Sequence, residues 1–166
     1  MSALATWNRE ARIRRATLAD AADIAEVLRQ SFVEFEPWYT PKGFAATTPD
    51  EHAVKRRMDE GPIWVALWGD SIVGTAAAVF NGEKRLYVRG IAVIPSARGR
   101  GLAESLLNEL QTFARSSGYQ RLSLTTTPFL SSAIRLYERF GFLRVPDGAD
   151  DLFGTPLLTM AKDLSH

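Results

Sequence analysis

The sequence predicts a single α/β (α+β) domain of about seven strands and four helices, in the order β-α-α-β-β-β-α-β-α-β-β. Three observations lead there. Short stretches rich in Val, Ile, Leu and aromatic residues alternate with longer ones in which apolar residues recur every three or four positions. Three of the strand-like stretches follow one another with only the turns Gly69-Asp70 and Asn81-Gly82 between them, an antiparallel meander. The third, Leu86–Ile94, ends at Pro95 and is followed by a basic glycine-containing turn and an amphipathic helix. A chain of 166 residues has the length of one domain and can bury one sizeable core.

Taken in order, residues 1–10 read as a flexible tail, and the domain is expected over 11–166. Arg12–Ala16 is a short strand around Ile13. Thr17, with Asp20 three places on, imitates a capping box and opens a helix whose buried face is Ala21, Ile24, Ala25, Leu28 and Phe32. Residues 34–47 lose periodicity yet carry Phe35, Trp38, Tyr39 and Phe44. Such a loop either folds onto the core or lines a substrate site. Thr48-Pro49-Asp50-Glu51 is a second capping box with proline at the first helical position, starting a helix that should run to about Asp59.

The meander strands are Ile63–Trp68, Ile72–Phe80 and Leu86–Ile94. Gly90, inside the last of them, signals a bulge or a close backbone approach. Leu102, Ala103, Leu106, Leu107, Leu110, Phe113 and Ala114 form one apolar face of a long helix, which stops at Ser116-Ser117-Gly118. Leu122–Thr127 is a strand, Ala133–Phe140 a helix capped by Ser131 or Ser132, and Phe142–Val145 a short strand. An acidic loop, Asp147–Phe153, precedes the closing strand Pro156–Ala161.

Composition removes several classes of function. Twenty basic and nineteen acidic side chains leave a net charge of +1, with no global attraction to nucleic acid or to an anionic membrane. The absence of cysteine excludes disulfides, thiolate metal sites and an acyl-cysteine intermediate. With only His52 and His166 present, no metal site is expected. The first ten residues lack the apolar run of a signal peptide and no segment has the length of a membrane span, so a cytoplasmic protein is expected.

The turn Ser96–Gly101 carries chemistry. The first amides of a helix have no partner inside it and lie at the positive end of its dipole. Gly99 and Gly101 permit unusual dihedrals and close approach of a ligand, and Arg98 and Arg100 add forked cationic donors. A phosphate or pyrophosphate suits such a place; an ordinary turn with solvated arginines is the other reading. The turn is no Walker loop, since no Gly-Lys-Ser/Thr follows. It is a poor dinucleotide fingerprint, because Glu104 stands where a third small residue belongs.

Arg98-Gly99-Arg100-Gly101-Leu102-Ala103 is similar to the Q/R-x-x-G-x-G/A pyrophosphate loop of the GCN5-related N-acetyltransferase (GNAT) superfamily. The preceding Ile91-Ala92-Val93-Ile94-Pro95 matches the strand end that the family places before the loop. Ala133–Phe142, AIRLYERFGF, resembles its A-x-x-L-Y-E-x-x-G-F segment. The likeness covers roughly Pro62 to Asp163. It implies a mixed, mostly antiparallel central sheet of about seven strands flanked by four helices, with acetyl-CoA as co-substrate and no metal. The backbone of Gly99, Arg100, Gly101, Leu102 and Ala103, with the Arg98 and Arg100 side chains, would hold the CoA pyrophosphate. The strand end Ile91, Ala92 and Val93 would run beside the pantetheine arm, the backbone of Ile91 and Val93 pairing with it where the strand bulges and splays from its neighbour. Tyr137 would protonate the leaving thiolate; it also reads as a core aromatic beside Leu136 and Phe140. Leu130 stands where the family often has Asn, and Ser131 or Ser132 would have to replace that contact.

On the acceptor side the resemblance points to Tyr87 and Arg89 as cleft-facing positions, and the aromatic stretch supplies Glu36, Trp38 and Tyr39. The strand before the loop has no carboxylate to serve as general base. Glu34, Glu36, Glu83, His52 or a water chain remain candidates. The expected activity is direct transfer of an acetyl group from acetyl-CoA to a primary amine of a small molecule, amino acid or peptide. Acetylation of protein N-termini or lysines would need an open groove between residues 34–44 and 147–153. A non-catalytic acyl-CoA-binding module is a third reading. The resemblance makes a homodimer plausible.

Overall fold

A computed structural model describes residues 11–82, 84–146 and 151–165; the predicted tail, Glu83, and Asp147 and Asp150 of the acidic loop lie outside the described residues. The main sheet has seven strands. β1 (Ala11–Arg15), β2 (Ile63–Trp68), β3 (Ser71–Phe80) and β4 (Arg85–Val93) run consecutively. They are followed across the sheet by β5 (Arg121–Thr126), β9 (Leu158–Asp163) and β6 (Leu143–Val145), in the order β1-β2-β3-β4-β5-β9-β6. All neighbours are antiparallel except β4 and β5. This is the mixed, mostly antiparallel sheet that the resemblance implies.

Helices cover both faces. α1 (Ala21–Phe32) and α3 (Glu51–Arg57) pack Ala21, Ile24, Val27, Leu28 and Val54 on Ile63, Val65, Leu67, Ala77 and Ala92. On the other face α4 (Leu102–Ser116) presses Leu102, Leu106, Leu107, Leu110 and Ala114 against Trp64, Ala66, Ala76, Leu86, Val88 and Leu122. The double cover explains why β2 is buried from Ile63 to Leu67 without alternation. Each buried leucine of α4 contributes about 2 kcal/mol over an exposed one. α5 (Ser131–Arg139) adds Tyr137 to this second core. It stops at Gly141 (φ +102), with Phe142 N donating to Tyr137 O at 2.9 Å, a left-handed terminal turn.

Several expectations are corrected. Residues 33–47 are not irregular: a 3-10 segment, Val33–Trp38, leads into α2 (Pro41–Thr47), a fifth α-helix among the described residues. Thr40 caps α2, accepting from Gly43 N at 3.0 Å. The second predicted capping box does not form; the cap lies two residues later, where Asp50 accepts from Ala53 N at 2.8 Å. The Asn81-Gly82 turn is longer than two residues, since Asn81 N donates to Arg85 O. Part of the acidic loop is a two-stranded hairpin, β7 (Asp151–Leu152) and β8 (Thr155–Pro156).

Candidate active site

The site follows from two features of β4. First, the β3–β4 register slips between Thr75/Ala92 and Ala77/Arg89, so β4 carries an extra residue there. Gly90 absorbs it at φ +62, a conformation that L side chains rarely adopt. Second, β4 pairs with β5 only from Arg85 to Val88. Beyond that point the parallel strands part, and β5 is held by β9 alone. The gap opens a cleft of about 750 Å³ between the β4 end, the glycine turn and α5.

The cleft brings together most of the predicted cofactor residues. Ile91, Ala92, Val93, Arg98, Gly99, Gly101, Leu102 and Ala103 line it, with Leu130, Ser131, Ser132, Ala133, Leu136 and Tyr137 opposite. Gly99 (φ +78) and Gly101 (φ +77) are both left-handed, and a Cβ placed on either would meet nothing within 4 Å. The glycines are therefore required by backbone conformation, and the space in front of them is open. The α4 ladder begins with Ser105 N donating to Gly101 O at 3.0 Å, so the amides of Leu102, Ala103 and Glu104 precede the first intrahelical bond. Open space, preceding amides and the dipole of a fifteen-residue helix fit a pyrophosphate.

Two predicted contacts are redirected. The Arg98 side chain does not reach out from the turn. Its Nε donates to Val93 O at 3.0 Å, its Nη2 to Ser31 O at 2.9 Å, and its Nη1 to Glu34. Arg98 thus clamps the β4 end to the C-terminus of α1, and its backbone, not its fork, borders the open turn. The Val93 carbonyl, expected to face the pantetheine arm, is the oxygen that Arg98 Nε engages. Arg100 does not border the cleft. Leu130, in place of the family's Asn, precedes α5 without a side-chain cap, and Ser131 and Ser132 stand on the cleft wall.

Tyr137 lies at the inner end. It is 7% exposed and packs edge-on against Phe142, ring centroids 5.9 Å apart. Its hydroxyl has no hydrogen-bond partner among the described residues. Burial raises its pKa well above the usual phenol value, and the fields of Tyr87 and Tyr39 raise it further. The group is therefore a neutral proton donor throughout the physiological range. The two readings of Tyr137 are compatible: it is a core aromatic that also lines the cleft.

The acceptor-side predictions separate. Tyr87 and Tyr39 are near enough to Tyr137 for their charges to act on it, and the Tyr87 hydroxyl is hydrogen-bonded to Thr125 Oγ1. Arg89 is paired with Glu60 at 2.8 Å. Trp38, 60% exposed, packs with Phe35 and Phe129, two phenylalanines of the cleft wall. Glu36 is exposed and outside the lining. His52 sits apart, in a shallow groove at the start of α3 with Asp50, Glu51 and Lys55. Glu34 is committed to Arg98. Sequence reasoning missed Phe129, Arg57, Glu60 and Arg139. Phe129 alone had a signal, as the aromatic just before the α5 motif.

The comparisons with known proteins decide the family. The Acetyltransferase (GNAT) family profile matches residues 23–142. The chain belongs to this family. It is 33% identical over 135 residues to the uncharacterised N-acetyltransferase YjgM of Escherichia coli K12, a match covering 78% of this chain and 80% of that protein. To human N-acetyltransferase 8B it is 31% identical over 118 residues, 67% of this chain but only 52% of that one. Among solved structures, yncA of Salmonella typhimurium, solved with acetyl-CoA, superimposes with a TM-score of 0.73 at 22% identity, covering 95% of this chain and 96% of its own. The fold of this GNAT acetyltransferase is thus the shared one, and the glycine turn and Tyr137 lie inside the matched region.

Proposed function

We propose that this protein transfers the acetyl group of acetyl-CoA directly to a primary amine of a small molecule, amino acid or peptide. The observation that carries the reading is the pair of left-handed glycines with open space before them at the start of α4. Amides of residues 101–104 would hold the pyrophosphate, and the gap between β4 and β5 would take the pantetheine arm. Ile91, at the bulge, would present backbone groups to the thioester; one amide aimed at a developing oxyanion in a dry cleft is worth about 3 kcal/mol.

In the reaction the neutral amine nitrogen attacks the thioester carbonyl. A C–N bond forms, the C–S bond breaks, and the nitrogen loses one proton to solvent. The departing thiolate takes the Tyr137 proton and leaves as the CoA thiol; solvent then reprotonates the tyrosine. With no cysteine in the chain, direct transfer needs no acyl-cysteine intermediate.

Acetylation of a folded protein would call for an open groove between residues 34–44 and 147–153. Thr40 donates to Phe153 O at 2.8 Å, and Thr40 N to Thr155 Oγ1 at 2.9 Å. These bonds tie α2 to the β7–β8 hairpin and support a small acceptor over a protein surface.

The test is a thermal melt with acetyl-CoA, CoA and NAD. At about a hundred times its dissociation constant a ligand adds roughly 2.7 kcal/mol, a rise of about 5–10 °C for a chain of this size. Acetyl-CoA and CoA should produce it and NAD should not. A flat response to all three would leave the glycine turn as a structural feature and remove the enzymatic reading.

A further inference from the structure

Two arginines stand at the β4 bulge, and only one of them was visible as a candidate in the sequence. Arg57, the last residue of α3, is turned inward under the β4 bulge. Its Nη2 donates to Ala46 O at 2.9 Å, and its Nη1 lies 4.0 Å from where a Cβ on Gly90 would stand. Arg89, the residue before that glycine, lies close enough to repel it. One carboxylate, Glu60, serves the pair. It meets Arg89 Nη2 at 2.8 Å and is itself half exposed. The fork of Arg89 is left incomplete: its Nε is buried and has no hydrogen-bond partner. A buried unsatisfied donor is uncommon and calls for an explanation. Two like charges held together under a bulge, with a shared and exposed counter-ion, call for the same one.

We propose that Arg57 and Arg89 bind a carboxylate of the acceptor, so that the acceptor is a small amino acid whose amine and carboxylate are a few bonds apart. The proposal rests on the transferase reading given above. Tyr87 provides the link: it lies two residues from Arg89 on the same face of β4, so the two side chains stand about 7 Å apart. Tyr87 is near enough to Arg57 and to Tyr137 for their charges to interact. A molecule seated on Tyr87 would reach the guanidiniums at one end and the acetyl carbon beside Tyr137 at the other. A planar carboxylate suits a guanidinium fork. Burial and Arg89 push the Arg57 pKa down to about 10; it remains charged at neutral pH, and an anion between the two would remove the repulsion.

The test uses the full chain and thiol-release kinetics with the twenty L-amino acids, each beside its carboxamide and its decarboxylated amine. Acetyl-CoA affinity is measured in parallel by calorimetry. The acid should be favoured over its carboxamide by about 30-fold or more in kcat/KM, the size of loss that follows truncation of a buried charge pair. In Arg89→Gln that ratio should collapse toward one, through a higher KM for the acid, while the acetyl-CoA dissociation constant stays as in the parent. Arg57→Lys, which keeps the charge and removes the fork, should lower the ratio less and guards against a folding defect. Acids and carboxamides used equally, or no acid used while acetyl-CoA binds, would overturn the proposal alone. Failure of acetyl-CoA to bind would overturn the transferase reading and this one with it.

Discussion

At the scale of the residue, Tyr137 joins a packed ring to the role of proton donor proposed for it. Its ring is buried against Phe142, and the residue lines the cleft. Removing its hydroxyl leaves the packing intact, so Tyr137→Phe should fold normally and bind acetyl-CoA as before. Its turnover should fall by about 10²–10⁴, the usual worth of a positioned proton donor. Steady-state kinetics with a calorimetric dissociation constant check both halves. The pKa has a sign to test as well. A raised pKa keeps the acid form present at all pH values below it, so the phenol should cause no loss of kcat between pH 7 and pH 10. Arg98 teaches the opposite lesson: a residue of the right type in the right motif has its fork fully used by Val93 O, Ser31 O and Glu34.

At the scale of the element, two local devices set the site and its frame. Gly101 begins α4 in a left-handed conformation with open space before it. Gly101→Ala should therefore lose only about 1 kcal/mol of stability, from backbone strain rather than crowding. Its acetyl-CoA affinity should fall by about tenfold or more, ~1.4 kcal/mol, because the methyl group would occupy the space proposed for the pyrophosphate. Chemical denaturation and calorimetry separate the two effects. The entry to α1 is held by Asp20. It takes a bidentate pair from Arg14 of β1 at 2.8 and 3.0 Å and accepts from Thr17 N at 2.7 Å. These partners, Arg14 foremost, lower its pKa from 3.8 to about 2. A lowered carboxylate pKa stabilises the fold above about pH 4, and the gain is lost as pH falls toward 2. Asp20→Asn should lose about 2 kcal/mol at neutral pH, and the difference from the parent in urea midpoint should shrink across that window.

At the scale of the whole molecule, the active cleft is a consequence of sheet topology. β4 is paired on one side by β3 throughout and on the other by β5 only from Arg85 to Val88. The bulge at Gly90 lies where β4 and β5 part, and the cleft there is lined by Ile91, Ala92, Val93 and Tyr137. Most of this frame could be read from the chain. The meander is legible because its strands are sequential and joined by short turns. α4 is legible because Leu102, Leu106, Leu107 and Leu110 repeat at helical spacing, and the glycine turn is legible because positive φ demands glycine. These are local properties, written in neighbouring residues.

What stayed hidden depends on residues far apart in the chain. α2 is seven residues long, too short to hold itself as an isolated helix, and it forms where Thr40 meets Thr155, 115 residues away. Arg98 reads as a ligand contact from its loop motif, whereas its partners, Ser31 and Glu34, lie more than sixty residues earlier in the chain. Arg57 closes a Lys-Arg-Arg run that reads as solvated, and only the packing of α3 beneath the β4 bulge turns it inward. Local propensity and spacing thus specified most of the elements and the glycine turn, and the family resemblance pointed to Tyr137. Which charged groups face the acceptor is set by how the sheet splays and how the helices settle over it, because a side chain's partners there are chosen by packing and not by its neighbours in sequence.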